Sequence, residues 1–277
     1  MIGAAEFSAY SKAIDSIADR SRSTVETQIL AWIKANPTAT VAEEREAAKE
    51  IMAGVAQVYD EAAASLAAQW YDSRMQADGA SVPAALTSVA YKSEEADAVA
   101  RLHAEKLTKG DVRGFAKGCA AYAANDARHS VSDTMLGGAS RNWTAGVRYA
   151  RIVADGEACT FCMMLASRGA VYATRGSAGE EWAANHRGCR CKIVAGVDRS
   201  AQGRAIWTSD ATKRERLRAE SALTREVADV TLVEGRSPKT ARQLWDEFKG
   251  IDADPDMTPK AKAEAKHAAL RREGWES

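Results

Sequence analysis

The sequence has few aromatic residues, few prolines and cysteines, and no excess of charge of either sign. Phe, Trp and Tyr make up 6% of the 277 residues, and there are five prolines, five cysteines and four histidines. The 38 basic residues balance 38 acidic ones. Five cysteines in a chain of this length do not make a disulfide-rich scaffold. Zero net charge argues against a general nucleic-acid binder, which needs an excess of Lys and Arg.

Long apolar stretches are also missing. The weakly polar stretches at residues 62–70 and 163–173 are far shorter than the roughly 20 residues that a transmembrane helix requires. The first eight residues lack the basic and apolar regions of a secretory signal. We therefore expect a soluble protein that is made in the cytoplasm and has no membrane partner.

The sequence does contain an ordinary share of core-forming residues, since 46% are hydrophobic and 27% are charged. This composition is typical of a soluble globular protein and excludes a disordered or collagen-like chain. The length allows one large domain or two of ordinary size.

Two long amphipathic helices are predicted at the start of the chain. Apolar residues recur every three or four positions over residues 7–32, and an Asn-Pro pair at residues 36–37 ends this pattern. A second helix follows Thr40 and is broken by an Asp-Gly pair at residues 78–79. Its predicted buried face consists of Ile51, Val55, Val58, Ala62, Leu66 and Trp70.

Two further helices are predicted next. Residues 93–109 form the first, with Ser93 as its N-cap and Gly110 just past its end. The second covers residues 111–136 and closes at a Gly-Gly pair at residues 137–138. Its predicted buried stripe consists of Val112, Phe115, Cys119 and Tyr122.

Residues 141–205 have a different pattern. Apolar residues alternate with basic or small ones over residues 147–153, which predicts a strand with one face in water. A short helix is predicted over residues 159–168, and short strands over residues 170–172 and 191–197. These elements predict a small α+β module.

After this module the chain returns to helix. Ser237-Pro238 and Thr258-Pro259 each combine an N-cap residue with a proline at the first helical position, so each predicts the start of a helix. The last helix has almost no apolar stripe, which predicts that it is solvated or completed by a partner. Trp275 is expected to dock against a partner, because a large aromatic side chain in a terminal tail has little to bury it. An earlier helical segment is marked by Leu217, Val227 and Val230.

Four of the five cysteines lie close together in the sequence. Cys159 and Cys162 are separated by two residues and are followed by His186, Cys189 and Cys191. This spacing allows one backbone turn to present two ligands to a tetrahedral zinc ion, which favours sulfur and nitrogen donors. Five candidates exist for four positions, and a full set leaves no position open for water. The sequence therefore predicts a structural zinc site, with two disulfides or free thiols as the alternative.

The choice between the last two cysteines stays open. Two thiolates on one zinc ion lie roughly 3.8 Å apart, whereas side chains two apart on a regular strand stand roughly 6.5 to 7 Å apart. If Cys191 lies within a strand, His186 and Cys189 are the better second pair.

The patterns together predict a mainly helical protein with a small zinc-binding module whose metal takes the place of a large apolar core. The predicted domains are an elongated helical N-terminal domain at residues 1–140, the α+β module at residues 141–205 and a helical C-terminal arm at residues 206–277.

Residues 141–197 contain three motifs in order: Arg148-Tyr149-Ala150-Arg151, then Cys-x-x-Cys-x-x-Leu-Ala-Ser-Arg-Gly-Ala-Val-Tyr, then His-x-x-Cys-x-Cys. Their resemblance is to the minor capsid, or head morphogenesis, proteins of tailed bacteriophages, and it is closest to the Mu F-like type of actinobacterial phages. It implies a structural component of the phage head near the portal, not an enzyme, which acts in head assembly and in packaging or ejection of the genome. Its partners would be portal and capsid proteins, with packaged DNA as a further candidate. It would be assembled in the host cytoplasm and carried in the virion, at the head interior or portal vertex.

Two rival functions arise from the same residues. His103-Ala104-Glu105 followed by the Cys159 motif imitates the signature of zinc-dependent deaminases, although Ala158 replaces the usual proline. The other rival is a nucleic-acid-binding zinc module. The more common explanation of alternating basic residues is that they mark the solvated face of a sheet. The basic residues that suggest this module are Arg148, Arg151, Arg187, Arg190 and Lys192.

Nucleophilic catalysis by Cys119 has little support from the sequence. His129 follows ten residues later. The place of Cys119 on an apolar stripe favours a buried, inert thiol.

Overall fold

The computed structural model describes residues 2–142, 145–153, 159–170, 172, 191–197 and 231–275. Within these residues the protein is mainly helical, with seven α-helices and one two-stranded sheet. The elements in chain order are α1 (Ala4–Ala35), α2 (Val41–Ala77), α3 (Ser93–Thr108), α4 (Val112–Arg141), β1 (Val147–Ile152), α5 (Thr160–Ala166), β2 (Lys192–Val197), α6 (Pro238–Ala253) and α7 (Pro259–Arg272).

The chain divides into two compact units. One, here called the helical unit, consists of Lys12–Gln69 and Leu86–Thr134. The other, here called the mixed unit, consists of Met1–Ser11, Trp70–Ala85 and Met135–Ser277. The three domains expected at residues 1–140, 141–205 and 206–277 stay a prediction.

The ends of α1 and α2 lie where the sequence places them. α1 ends at Ala35, directly before the Asn-Pro pair. α2 begins with a capping box, because the Glu43 carboxylate accepts the backbone N–H of Thr40 at 2.7 Å and the Thr40 hydroxyl accepts the N–H of Glu43 at 3.3 Å. It ends at Ala77, and Gly79 follows with φ of 65°.

The predicted buried face of α2 is confirmed in part. Val55 is buried and Ile51, Leu66 and Trp70 are half-buried, whereas Val58 is 62% exposed and Ala62 is also exposed. The prediction followed the large apolar side chains, whereas the real face is rich in alanine, which permits close helix packing. The residues buried along α2 include Met52, Val55, Ala56, Asp60, Ala63, Ala64, Ala67, Ala68, Tyr71 and Met75.

α3 begins at the predicted residue with a different cap. Lys92 occupies the N-cap position and makes no side-chain capping bond, so the prediction of Ser93 as N-cap is wrong. The predicted end is confirmed, because Gly110 follows α3 with φ of 75°, a conformation that glycine adopts at low cost.

α4 does not stop at the two glycines, as the sequence suggested, but continues to Arg141. A β-carbon on Gly138 would lie 3.0 Å from the ring of Tyr71. The glycine therefore serves close approach of that ring rather than chain termination.

The core of the helical unit draws on all four long helices. Small side chains prevail in it, and Gly118 of α4 faces His103 of α3 so closely that a β-carbon would lie 2.2 Å from the imidazole. Its buried members are Val25, Ile29, Ala48, Met52, Val55, Ala96, Ala100, Leu107, Phe115, Ala116, Cys119, Ala120 and Ala123.

The extended segment before α3 is attached to α4 by polar side chains spaced four residues apart. Thr134 Oγ1 accepts the N–H of Ser88 at 2.9 Å, and Ser130 Oγ accepts the N–H of Ala90 at 2.8 Å. About two helical turns further back, the Tyr122 hydroxyl donates to the carbonyl of Lys92 at 3.3 Å. These bonds satisfy backbone groups of a segment that has no strand or helix partner of its own in the described chain.

The mixed unit contains the sheet. β1 and β2 pair antiparallel, in a register that runs from Val147 opposite Val197 to Ile152 opposite Lys192. Tyr172 forms an antiparallel bridge with Tyr149 of β1, which places one residue of the predicted strand 170–172 beside the sheet.

β1 is buried on both faces, so the expectation of one solvated face is wrong. Arg148 is 1% exposed and Arg151 is 4% exposed, like the apolar residues between them. One reason is that distant parts of the chain cover the sheet. This sheet-side core consists of Ile2, Phe7, Ala150, Ile152, Ala170, Val194, Leu232 and Val233, with Trp70 packed against it.

Residue 2 and residues 232–234 are joined by backbone hydrogen bonds. The N–H of Ile2 donates to the carbonyl of Leu232 at 2.7 Å, and the N–H of Glu234 donates to the carbonyl of Ile2 at 2.9 Å. The α+β module is therefore completed by residues far outside positions 141–205, and it has more apolar core than its own length supplies.

Both predicted starts of the C-terminal helices are confirmed. Ser237 Oγ accepts the N–H of Thr240 at 3.0 Å, and Thr258 Oγ1 accepts the N–H of Ala261 at 3.2 Å. The predicted segment around Leu217 lies outside the described residues.

The expectation that the end of the chain has little to bury it is wrong. Trp275 is 2% exposed and belongs to a core cluster with α6, and the Arg236 guanidinium lies 5.1 Å from the centroid of its ring. α7 buries Ala269 and Leu270 in the same cluster, so it is not a fully solvated helix. The arginine and the two helices supply the burial that the sequence position of Trp275 does not suggest.

Candidate metal centre

The first two predicted ligands form one turn at the start of α5. Cys159 is the N-cap residue, and its Sγ accepts the backbone N–H of Cys162 at 3.3 Å. The two Sγ atoms lie 3.2 Å apart, and no disulfide bond joins them. The spacing Cys-x-x-Cys produces this geometry because the cap residue and the third helical residue lie on the same side of the first turn.

Cys191 is brought to the same core as this turn. It lies directly before β2, which begins at Lys192. Cys159 and Cys191 are half-buried and pack against a cluster that includes Cys162. Three of the five predicted ligands therefore border one apolar cluster. This cysteine-side core consists of Val153, Cys162, Met163, Ala166, Ala241, Leu244, Phe248, Ala269, Leu270 and Trp275.

The remaining predicted ligands, His186 and Cys189, lie outside the described residues. Within the part of the chain that is described, no three His, Cys, Asp or Glu side chains converge as a metal site requires. The wide spacing of side chains two apart on a strand counted against Cys189 and Cys191 as a pair of ligands. Because Cys191 precedes β2 and is not part of it, this argument does not apply. The choice between these two cysteines thus stays open.

The cysteine turn fits a zinc ion in donor chemistry and geometry. Two thiols at 3.2 Å are close to the separation of roughly 3.8 Å that two thiolates adopt on one tetrahedral zinc ion. They are also far from the 2.0 Å of a disulfide bond. A small opening of the turn would thus admit the metal.

Polar contacts link the cysteine turn to both C-terminal helices. Thr160, the first residue of α5, donates its hydroxyl to Asp252 Oδ2 of α6 at 2.5 Å. Lys266 of α7 donates to Asp252 Oδ1 at 2.6 Å and to Thr160 Oγ1 at 3.3 Å. Partial burial acts to raise the pKa of Asp252, but the Lys266 and Thr160 hydrogen bonds outweigh it and hold that pKa below its usual value.

The contact between Thr160, Asp252 and Lys266 was not predicted from the sequence. Asp252 lies 92 residues from Thr160 and Lys266 lies 106 residues from it. The only local signal was the position of Thr160 inside the Cys-x-x-Cys motif, where a hydroxyl can bond outside the helix.

The basic residues beside the predicted site do not form an exposed patch where the structure describes them. Arg148, Arg151 and Lys192 are all buried, and the Arg148 guanidinium donates to the carbonyl of Val147 at 3.0 Å. Arg187 and Arg190 lie outside the described residues. The predicted solvated basic face is wrong, because β1 and β2 are covered on both faces.

The deaminase-like residues do not share a face of their helix. His103 is buried on α3, whereas Glu105 is exposed and forms an ion pair with Lys109 at 2.5 Å. Side chains two apart on a helix point to opposite sides, so the acid and the imidazole cannot face one metal from α3.

Cys119 is a buried thiol of the helical unit. Its side chain is fully buried on α4, and burial raises its pKa to about 12. A thiol with such a pKa is uncharged at neutral pH and therefore a poor nucleophile.

No helix in the described ranges combines the length and the apolar character that crossing a lipid bilayer demands.

Comparisons with known proteins identify the family. No curated protein and no solved structure matches the chain significantly. The sequence profile of the VG15 protein family matches residues 1–217, which is well over half of the chain. The chain therefore belongs to the VG15 protein family, a family of phage proteins.

Proposed function

We propose that this protein is a structural minor component of a tailed-phage head, of the Mu F-like type, which acts in head assembly near the portal. The observation that carries the proposal is the extent of the family match. Residues 1–217 include the four long helices, the sheet and the cysteine turn. A family match that extends over both the helical unit and the cysteine turn suits a protein that joins other virion proteins.

The helical unit offers surfaces for portal and capsid partners. Long helices present faces and grooves that partner helices can occupy. Leu102 of α3 is 71% exposed and Leu86 is 65% exposed, which are high values for large apolar side chains. Contacts of this kind would place the protein at the head interior or portal vertex, and a further role in packaging or ejection of the genome is part of the proposal.

A complementation experiment tests the head role. A phage that lacks this gene product is supplied in trans with wild-type protein, with Leu102→Gln, or with Glu105→Gln as an equally exposed control on α3. Purified particles are then analysed by quantitative mass spectrometry. We expect wild type and Glu105→Gln to be incorporated at a low, fixed copy number, and Leu102→Gln at a reduced level. Normal, infective heads without the protein would overturn the proposal.

Within this role we propose a structural zinc ion bound by Cys159, Cys162, His186 and one of Cys189 and Cys191. The close pair of thiols at the start of α5 supports it. Zinc would join the turn before α5 to the segment before β2. Four protein ligands leave no open coordination position, so the metal would stabilise the fold rather than activate water.

Metal analysis of the purified full chain tests the zinc site. The protein is expressed with added zinc and purified without chelators. We expect one zinc ion per chain for wild type and for Cys119→Ala, whose buried thiol lies in the helical unit. Cys162→Ser should lose the metal, and separate Cys189→Ser and Cys191→Ser variants should identify the fourth ligand. Metal-free wild type would reject the site, and a disulfide found by mass spectrometry would establish the alternative.

Direct binding of nucleic acid by the zinc module is the alternative function, and it has less support than the head role. Three of the five basic residues that suggested it are buried. We expect the purified protein to show weak DNA binding with little dependence on salt. A steep fall of affinity with rising salt would instead indicate several phosphate contacts and favour the nucleic-acid module.

A further inference from the structure

The two C-terminal helices, α6 and α7, contact the cysteine turn at Thr160. Thr160 directly follows Cys159 and opens α5, so its position fixes the direction in which the helix leaves the cap. Its hydroxyl is bonded to Asp252 of α6, and Lys266 of α7 bonds to both. The Lys266 side chain is 17% exposed and that of Asp252 is 45% exposed, so this ion pair is shielded from solvent on the lysine side only.

Apolar packing reinforces the same contact. Cys162 and Met163 of α5 are buried against Leu244 and Phe248 of α6, all in the cysteine-side core. The Lys266 ammonium lies 5.3 Å from the centroid of the Phe248 ring, so one side chain contributes to the polar and the apolar contact. Removal of the helical pair would expose Cys162, which is now 2% exposed.

α6 and α7 are also joined to each other independently of α5. Lys262 of α7 donates to the carbonyl of Asp252, at the end of α6, at 2.7 Å. Arg272 of α7 pairs with Glu247 of α6 at 2.7 Å on the exposed side. α6 and α7 therefore contact α5 as one unit. The Arg272–Glu247 ion pair can be removed by substitution without changing a contact to the cysteine turn.

We propose that α6 and α7 act as a clamp on the Cys159–Cys162 turn, with Thr160 and Asp252 as positioning residues that set thiol reactivity and zinc affinity. The zinc part rests on the zinc site proposed above, whereas the thiol part does not. Zinc binding and docking of the helices are thermodynamically linked. If docking of α6 and α7 raises the zinc affinity of the turn by some factor, bound zinc favours docking by the same factor. The clamp thereby couples occupation of the site to order in the last 40 or so residues.

The test uses the full chain and two readouts. In metal-free protein, the rate at which iodoacetamide modifies Cys159 and Cys162 is measured by mass spectrometry. Loss of a hydrogen bond to a charged group should raise this rate about tenfold in Thr160→Val and Asp252→Asn. Glu247→Gln, which breaks only the outer ion pair, should stay within about twofold of wild type, and Thr160→Ser should restore the wild-type rate.

The second readout is zinc itself. Competition with a chromophoric chelator should show a parallel loss of zinc affinity in Thr160→Val and Asp252→Asn, and zinc should slow amide hydrogen exchange in α6 and α7 of wild type. If Asp252→Asn and Thr160→Val modify at the rate of Glu247→Gln, the clamp is wrong. If they modify faster while wild type binds no zinc, the clamp stands and the zinc site alone fails.

Discussion

The carboxyl groups of Asp60 on α2 and Asp126 on α4 are both buried in the helical unit, and the charge of one acts on the other. Asp60 is fully buried and Asp126 is 2% exposed. Burial raises the pKa of Asp60 to about 7, against the effect of the Ser130 hydroxyl and the Tyr91 N–H beside it. Burial, followed by the charge of Asp60, raises the pKa of Asp126 to about 8. At neutral pH the folded protein therefore retains protons that the unfolded chain would release.

The first prediction concerns stability against pH. A carboxyl with a raised pKa in the folded state contributes its full stability below about pH 4, and this contribution is lost as the pH rises through 7 to 8. Asp60→Asn replaces one of the two buried carboxyl groups by an amide that does not titrate. We expect the variant to be more stable than wild type at pH 8, by about 2 kcal/mol, and to lose less stability between pH 5 and pH 8.

Urea denaturation at pH 5, 6, 7 and 8, followed by circular dichroism, measures this difference. Glu61→Gln provides the control, since Glu61 is the exposed neighbour of Asp60 on α2. A pH profile of Asp60→Asn that is parallel to wild type would mean that Asp60 is ionised in the folded protein.

The second prediction compares two adjacent glycines in α4. A β-carbon on Gly137 would meet only Arg141 Nη1 at 3.7 Å, an ordinary contact. Gly137→Ala should therefore stabilise the protein by about 0.5 to 1 kcal/mol, because alanine favours the helix. Gly138→Ala should lose this gain and cost about 1 kcal/mol or more, since the Tyr71 ring must move away. Thermal denaturation of both variants checks the order, and equal melting temperatures would contradict the close approach.

The third prediction concerns the segment before α3. Ser130→Ala removes the acceptor of the Ala90 N–H. The bond is part-buried, so the loss of its acceptor should cost about 1 kcal/mol, the low end of the range for an unsatisfied polar group. We expect faster hydrogen exchange at Ala90 and faster proteolysis within residues 80–92, with Ser132→Ala, on another side of α4, as the control. Unchanged cleavage would indicate that the remaining bonds of Thr134 and Tyr122 hold the segment.

The fourth prediction distinguishes a core tryptophan from a docking tryptophan. Trp275→Ala should destabilise the isolated protein by about 3 to 5 kcal/mol, because a large buried side chain leaves a cavity. Leu102→Ala, at an exposed position, should be neutral within about 0.5 kcal/mol. Denaturation of the purified protein, without any virion partner, measures both. A neutral Trp275→Ala that still fails to enter particles would restore the docking interpretation.

Features that depend on neighbouring residues could be predicted from the sequence. The caps at Thr40, Ser237 and Thr258 each need only a partner three residues away, so the starts of α2, α6 and α7 follow from local chemistry. The Cys159–Cys162 turn is local for the same reason.

Features that depend on distant residues could not be predicted. The burial of Arg148 depends on a sheet that is covered by residues from both ends of the chain, although alternation alone suggests a wet face. α2 buries alanines because its neighbours come close, and no count of large apolar residues reveals that. The contact of Asp252 with Thr160 joins positions 92 residues apart, and no periodic signal marks it.

The bonds between Ile2 and residues 232–234 have a consequence for synthesis. A ribosome makes the N-terminus first, and domains usually begin to fold in that order. The sheet-side core, however, lacks Leu232 and Val233 until residue 233 has emerged. Contacts that close such a long loop also slow folding. The helical unit, whose residues all precede position 135, can fold during translation, whereas the mixed unit is completed only after Val233 has left the ribosome.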